Sequence, residues 1–173
     1  VNEPQLIAGV GTYTLEILED LPDVDVIIVP IGGGSGASGA CIVAKSINPK
    51  IKVIGVQSEQ APAVYLSWKE GEIVEAPMRS HAEGLETGSG YQTTLDILTE
   101  QLDDFVLVSD DEMDQAVILH LENTHNLTEH AGAASLAGAI KIKDQLAGKK
   151  VVLIMSGGNL SMQQLKELLE KHA

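Results

Sequence analysis

The stretch Val26-Ile27-Ile28-Val29-Pro30-Ile31-Gly32-Gly33-Gly34-Ser35-Gly36-Ala37-Ser38-Gly39 decides the fold. An apolar run, Val24 to Ile31, reads as a buried strand; a glycine-rich turn follows it, and Ala40 to Ile47 reads as helix. Glycines leave backbone N–H groups uncovered by any Cβ, and a helix that begins there adds unpaired amides and a positive dipole end. A strand-to-helix turn needs one or two glycines, whereas five stand in the eight positions from Gly32 to Gly39. That density favours a cradle for an anion such as phosphate over a bare turn.

Two phosphate chemistries fit the loop. Gly34-x-Gly36-x-x-Gly39 satisfies the dinucleotide fingerprint, with Glu59 at about the right distance for a ribose hydroxyl. A phosphate-bearing cofactor of another kind fits equally. A nucleoside-triphosphate loop does not, because no Lys-Ser/Thr pair follows the glycines, and Ala37 breaks a nucleophile elbow around Ser35.

Outward from the loop, strands alternate with helices. The runs Ile51–Gln57, Phe105–Val108 and Lys150–Met155 read as further strands, the last of them buried. The strand–helix–strand unit from Val24 to Gln57 has the size of one parallel crossover. Helices are expected over 7–21, 61–69, 93–102, 110–126, 131–146 and 161–171, with Ser109 and Glu112 as a capping box. The expected class is α/β: three layers, a largely parallel sheet with helices on both faces, in a single domain over residues 1–173. Pro77 to Tyr91 is polar and rich in glycine without a clear period, and a loop of that length inside a domain is usually functional or mobile.

Composition narrows the partners. Hydrophobic content is 44% with only 3% aromatic, as in a core of Val, Ile, Leu and Ala between helices. A net charge of −14 argues against nucleic acid and anionic membrane surfaces, and no apolar run approaches the roughly 20 residues of a membrane span. The single cysteine, Cys41, forms no internal disulfide, and no signal peptide is evident, so a cytoplasmic location is the expectation.

A second glycine turn, Ser156-Gly157-Gly158-Asn159, also follows a strand, where ligands of open α/β sheets sit. Between the two lies Glu129, ahead of Ala131-Gly132-Ala133-Ala134. With Pro30-Ile31-Gly32-Gly33-Gly34-Ser35-Gly36 first and Met155-Ser156-Gly157-Gly158-Asn159 last, the chain resembles the threonine dehydratase (threonine ammonia-lyase) and serine racemase family, pyridoxal-phosphate enzymes of the tryptophan-synthase β fold, known as fold type II. The likeness runs from Asn2-Glu3-Pro4 to the last helix.

The resemblance implies pyridoxal 5'-phosphate as cofactor. It implies that the amides of Gly32, Gly33, Gly34, Ser35 and Gly36 hold its phosphate, that Ser156 hydrogen-bonds its ring nitrogen, that Glu129 is a carboxylate near the ring, and that Gly84 belongs to a loop flanking the ring face. His130 stands where relatives often have proline or glycine. A serine hydroxyl leaves the ring nitrogen neutral, a weaker electron sink than a ring paired with a carboxylate. The implied reaction is therefore β-elimination from a small hydroxy-amino acid, giving a 2-oxo acid and ammonia.

The family's Schiff-base lysine lies in an upstream Ser-Phe-Lys-like motif that nothing here matches; Lys45, Lys50 and Lys52 read as solvated. The chain is thus expected to be the greater part of the cofactor domain without the catalytic residue, and inactive alone. Relatives commonly dimerise, so a homodimer is implied. Metal-dependent relatives carry acids where this chain has Gln57 and Ala63, so no metal site is expected; His120, His125 and His130, five residues apart, share no helical face and read as surface or cap residues. A dinucleotide-binding domain, or a remnant that holds a phosphate ligand without chemistry, are the other readings of the loop.

Overall fold

The apolar run before the glycines forms strand β1, Val26–Pro30, and it takes the centre of the sheet because both faces of it are apolar. The computed structural model describes residues 1–172. Strands β2 (Lys52–Ser58), β3 (Asp104–Val108) and β4 (Val151–Leu153) complete a four-stranded, all-parallel sheet in the order β3-β2-β1-β4. Seven α-helices are described: α1 (Pro4–Asp20), α2 (Ser35–Ile47), α3 (Ala63–Glu70), α4 (Gln92–Gln101), α5 (Asp110–Thr124), α6 (His130–Lys141) and α7 (Met162–His172).

The period-two alternation of a strand divides the core into two halves. Val26 and Ile28 join Ile54, Val56 and Val108 in packing against Met113 and Val117 of α5, Ala133 and Ala137 of α6, and Leu168 of α7. Ile27 and Val29 point the other way with Val53, onto Leu18 of α1, Ala40 and Cys41 of α2, Val64 of α3 and Leu98 of α4. Helices thus cover both faces, as expected. Cys41 is buried and free, and burial pushes its thiol up to about 12, so it packs rather than reacts.

Three differences from the sequence reading stand out. Helix α2 starts at Ser35, not Ala40, so Gly36 and Gly39 are helical. A Cβ on Gly39 would stand 2.9 Å from the backbone of Gly11 and Ile7, and its absence lets α1 and α2 touch. Strand β4 is half-buried, not buried, because it is the sheet edge with no strand on its far side among the described residues. Helix α6 stops at Lys141, and Lys143–Gln145 form a separate 3₁₀ turn.

The capping box is present in both halves: Ser109 Oγ accepts from Glu112 N (3.2 Å) and Ser109 N donates to Glu112 Oε2 (2.7 Å). Ser109→Ala is expected to destabilise the protein by about 1 kcal/mol, read from the urea midpoint at constant slope.

Candidate active site

Strand β1 has β2 on one side and β4 on the other, so the chain leaves its carboxyl end at a point where the neighbouring connections diverge. A crevice forms there in open α/β sheets. Gly34, the N-cap of α2, has φ +94°, a left-handed conformation that side chains disfavour. Two hydroxyls hold the carbonyl side of the loop: Thr94 Oγ1 of α4 donates to Gly33 O (3.0 Å), and Tyr13 Oη of α1 donates to Gly36 O (2.9 Å). Because a trans peptide points its C=O and N–H in opposite directions, these bonds turn the following amides away from α4 and α1. Ser38 is the first amide of the turn to find a backbone acceptor, Gly34 O at 2.9 Å. The amides of Gly32 to Gly36 remain available to an anion.

The distant motifs come together around this loop. A 3₁₀ turn over Glu83–Leu85 brings Gly84 so close that a Cβ on Gly32 would run into the Gly84 carbonyl, and a Cβ on Gly84 would stand 2.8 Å from Ala131 Cβ of α6. A Cβ on Gly132, next along α6, would collide with the carbonyl of Gly157. Glu129, the N-cap of α6, donates its N–H to Gly157 O (3.2 Å), and its carboxylate lies against the Gly157 backbone. The cradle is therefore closed by backbone that admits no side chain at Gly32 or Gly132.

Ser156 follows β4 and is exposed, lining one cleft of about 790 Å³ with Ser35, Gly36, Tyr13, Val152 and Ile154. Burial pushes the Tyr13 phenol up to about 12, so it stays a hydrogen-bond donor. Glu83 and Glu129 line a separate, smaller depression with His81, His130, Asn159 and Gln164. The expected residues thus divide: Ser35, Gly36 and Ser156 share one cleft, while Gly84 and Glu129 form the backing and the second depression. The larger cleft has the free amides of Ser35 and Gly36 and the exposed Ser156 hydroxyl, with apolar side chains of α1, β1 and β4 along it and the carboxylates of Glu16 and Asp20 on its α1 side.

Other candidate residues go elsewhere. Glu59 turns to Lys141 of α6 (3.6 Å), and Gly39 serves helix packing, which removes two parts of the dinucleotide pattern from the cleft. Gln57 is buried with Oε1 accepting from Tyr65 N (3.0 Å), and Ala63 opens α3. The reading of the three histidines as surface or cap residues fits His125 and needs correction for the other two. His120 and His130 are buried, 8% and 6% exposed, and only His125 is exposed, closing α5 in a left-handed conformation with φ 55°.

His130 belongs to a polar cluster that the sequence did not disclose. Asp114 of α5, 4% exposed, has Oδ1 2.9 Å from His81 Nε2 and 3.4 Å from His130 Nε2, and Oδ2 2.9 Å from Lys171 Nζ. Burial pushes the Asp114 carboxyl up, but His81 and Lys171 outweigh it and hold it well below the usual carboxylate range. Asp114 raises His81, and burial, reinforced by His81, lowers His130. The loop bearing His81 is tied to α5: Ser80 Oγ donates to Asp110 Oδ1 (2.7 Å) and His81 N to Asp110 Oδ2 (3.1 Å). Tyr13, Thr94, His81, Asp110 and Asp114 escaped sequence reasoning, because each acts across segments far apart in the chain.

Comparison with known proteins finds relatives over nearly the whole chain. A family model described as pyridoxal-phosphate dependent enzyme matches residues 1–157. The chain is 38% identical over 172 residues to an L-threonine ammonia-lyase of Thermotoga maritima, covering 98% of this chain and 42% of that one. It is 39% identical over 170 residues to a serine racemase of Dictyostelium discoideum, covering 95% and 52%. The solved structure of the processed form of threonine deaminase isoform 2 from Solanum lycopersicum superposes with a TM-score of 0.93 at 30% identity, over 99% of this chain and 51% of that one. The chain spans about half the length of the curated relatives it matches.

Proposed function

The chain belongs to the pyridoxal-phosphate dependent enzyme family, and from that premise we propose that it is the greater part of the cofactor-bearing domain of an ammonia-lyase acting on small hydroxy-amino acids such as threonine or serine. The observation that supports the reading is that the unpaired amides of Ser35 and Gly36 share one cleft with the Ser156 hydroxyl, while Gly84 packs against Gly32 and Glu129 against Gly157 behind it. The amides of Gly32, Gly33, Gly34, Ser35 and Gly36 would bind the phosphate, helped by the positive end of α2. Ser156 would donate its hydroxyl hydrogen to the ring nitrogen and, as a weak acid, would leave it uncharged. Glu129 and Gly84 would bound the pocket beside the ring. When bound, pyridoxal phosphate supplies an electron sink that acidifies the substrate α-carbon and allows the β-hydroxyl to leave.

In this reading residues 1–173 act as one cofactor-binding α/β domain of fold type II. No described helix is long and apolar enough to cross a membrane. A cytoplasmic location accords with the buried, free thiol of Cys41. The outer edge of β4, unpaired among the described residues, would accept a further strand, from a second copy or from more of a longer chain.

Equilibrium dialysis of the purified protein against pyridoxal phosphate and against NAD tests the reading. Pyridoxal phosphate should be retained and displaced by inorganic phosphate, and Ser156→Ala should weaken retention about fivefold, the worth of one ordinary hydrogen bond. Retention of NAD in preference to pyridoxal phosphate would overturn it.

A further inference from the structure

We propose that His81 Nε2, His130 Nε2 and Asp114 Oδ1 form a binding site for one divalent transition-metal ion of the zinc class, joining the segment before Gly84 to the helix after Glu129. The three donor atoms lie within 4.8 Å of one another. Ligands about 2.0 Å from a tetrahedral ion are about 3.3 Å apart. The separations of 2.9 and 3.4 Å from Asp114 Oδ1 to the two imidazoles bracket that value. Two imidazole nitrogens and one carboxylate oxygen are borderline donors, matched to Zn²⁺ or Co²⁺ and poorly matched to Mg²⁺.

An ordinary ion pair between His81 and Asp114 explains less. Asp114 Oδ1 is buried yet accepts no hydrogen bond of acceptable geometry, although His81 Nε2 is 2.9 Å away. An ion pair would aim the His81 N–H at that oxygen, whereas here two imidazole Nε2 atoms converge on it, His130 from 3.4 Å, with no hydrogen bond formed by either. A cation where the three converge accounts for both.

The surroundings suit the assignment. Lys171 and His172 approach the other oxygen, Asp114 Oδ2, at 2.9 and 3.5 Å, which leaves Oδ1 free. His81 Nδ1 faces Asp110 Oδ2 at 3.5 Å, the carboxylate–imidazole arrangement that orients metal-binding histidines. Asp110 is itself held by Ser58 and Ser80. A cleft of about 250 Å³ lined by the three residues with Gln164, Glu167 and Lys171 leaves room for water in the fourth position.

The test is titration of the chelator-treated protein with Co²⁺, followed by visible absorption and competed with Zn²⁺ and Mg²⁺. One equivalent should give an intense tetrahedral spectrum that Zn²⁺ abolishes and a large excess of Mg²⁺ leaves alone. His81→Ala, at an exposed side chain, and Asp114→Asn should each weaken Co²⁺ binding at least tenfold. Zn²⁺ should raise the melting temperature of the parent but not of His81→Ala, whose circular dichroism should match the parent's. No tetrahedral spectrum in excess Co²⁺, displacement by Mg²⁺, or binding unchanged in His81→Ala would each overturn the assignment.

Discussion

Borohydride reduction of the 173-residue chain after incubation with pyridoxal phosphate is expected to leave no lysine with a stoichiometric pyridoxyl group, and threonine added to the same mixture is expected to release no 2-oxobutanoate. Family chemistry needs a lysine both as covalent anchor and as the base that takes the α-proton. That lysine must reach into the cleft beside Ser35, Gly36 and Ser156. No lysine lines that cleft, whose walls come from α1, the glycine loop, β1 and β4. Several lysines are engaged elsewhere: Lys45 with Asp103 (2.6 Å), Lys141 with Glu112 (3.0 Å), Lys150 with Asp23 and Lys171 with Asp111 (2.7 Å). Amides alone can hold a phosphate, but they supply neither the covalent bond nor the base. Mass spectrometry of the reduced protein decides the matter. A single modified lysine at full occupancy, with turnover, would mean that a lysine of this chain reaches the cofactor.

The legible part of this molecule was what depends on neighbours in sequence. The β1 run, the glycine turn and the Ser109–Glu112 box are each decided within about ten residues; the strand and the box appear where they were expected, and the turn is shorter, giving way to helix at Ser35. The three family motifs were legible as residues, and their order along the chain carried the fold. Their mutual approach was not, because the contacts of Gly32 with Gly84 and of Gly132 with Gly157 depend on two backbones meeting without side chains. Such contacts leave only a glycine in the sequence, and Gly39, which packs helices, leaves the same mark. Histidine was misread for a related reason. His81, Asp114 and His130 come from a loop and two helices, so no spacing along one element could join them.

Gly32→Ala should therefore be far more damaging than its single added methyl suggests. The new Cβ would meet the carbonyl oxygen of Gly84, an atom of the main chain that no rotamer change can move. The turn carrying Gly84 cannot easily retreat, since Leu85 is 1% exposed and Ala131 of α6 stands directly behind Gly84. The end of β1 is equally constrained, because Ile31 is fully buried and its N–H donates to Val56 O (2.7 Å). Overpacking between two fixed backbones costs about 1–3 kcal/mol. The strained loop would also tilt the amides from Gly32 to Gly36, so retention of pyridoxal phosphate should fall at least tenfold. Gly36→Ala is the matched control for stability. Its Cβ would meet only Tyr13 Oη, at an ordinary 3.5 Å, and alanine suits the first turn of α2 better than glycine does. Urea midpoints should separate the two variants clearly, with Gly36→Ala at or above the parent and Gly32→Ala well below it. Equal midpoints for Gly32→Ala and the parent would show that the Gly84 turn is free to move, and the closed cradle would then have to be abandoned.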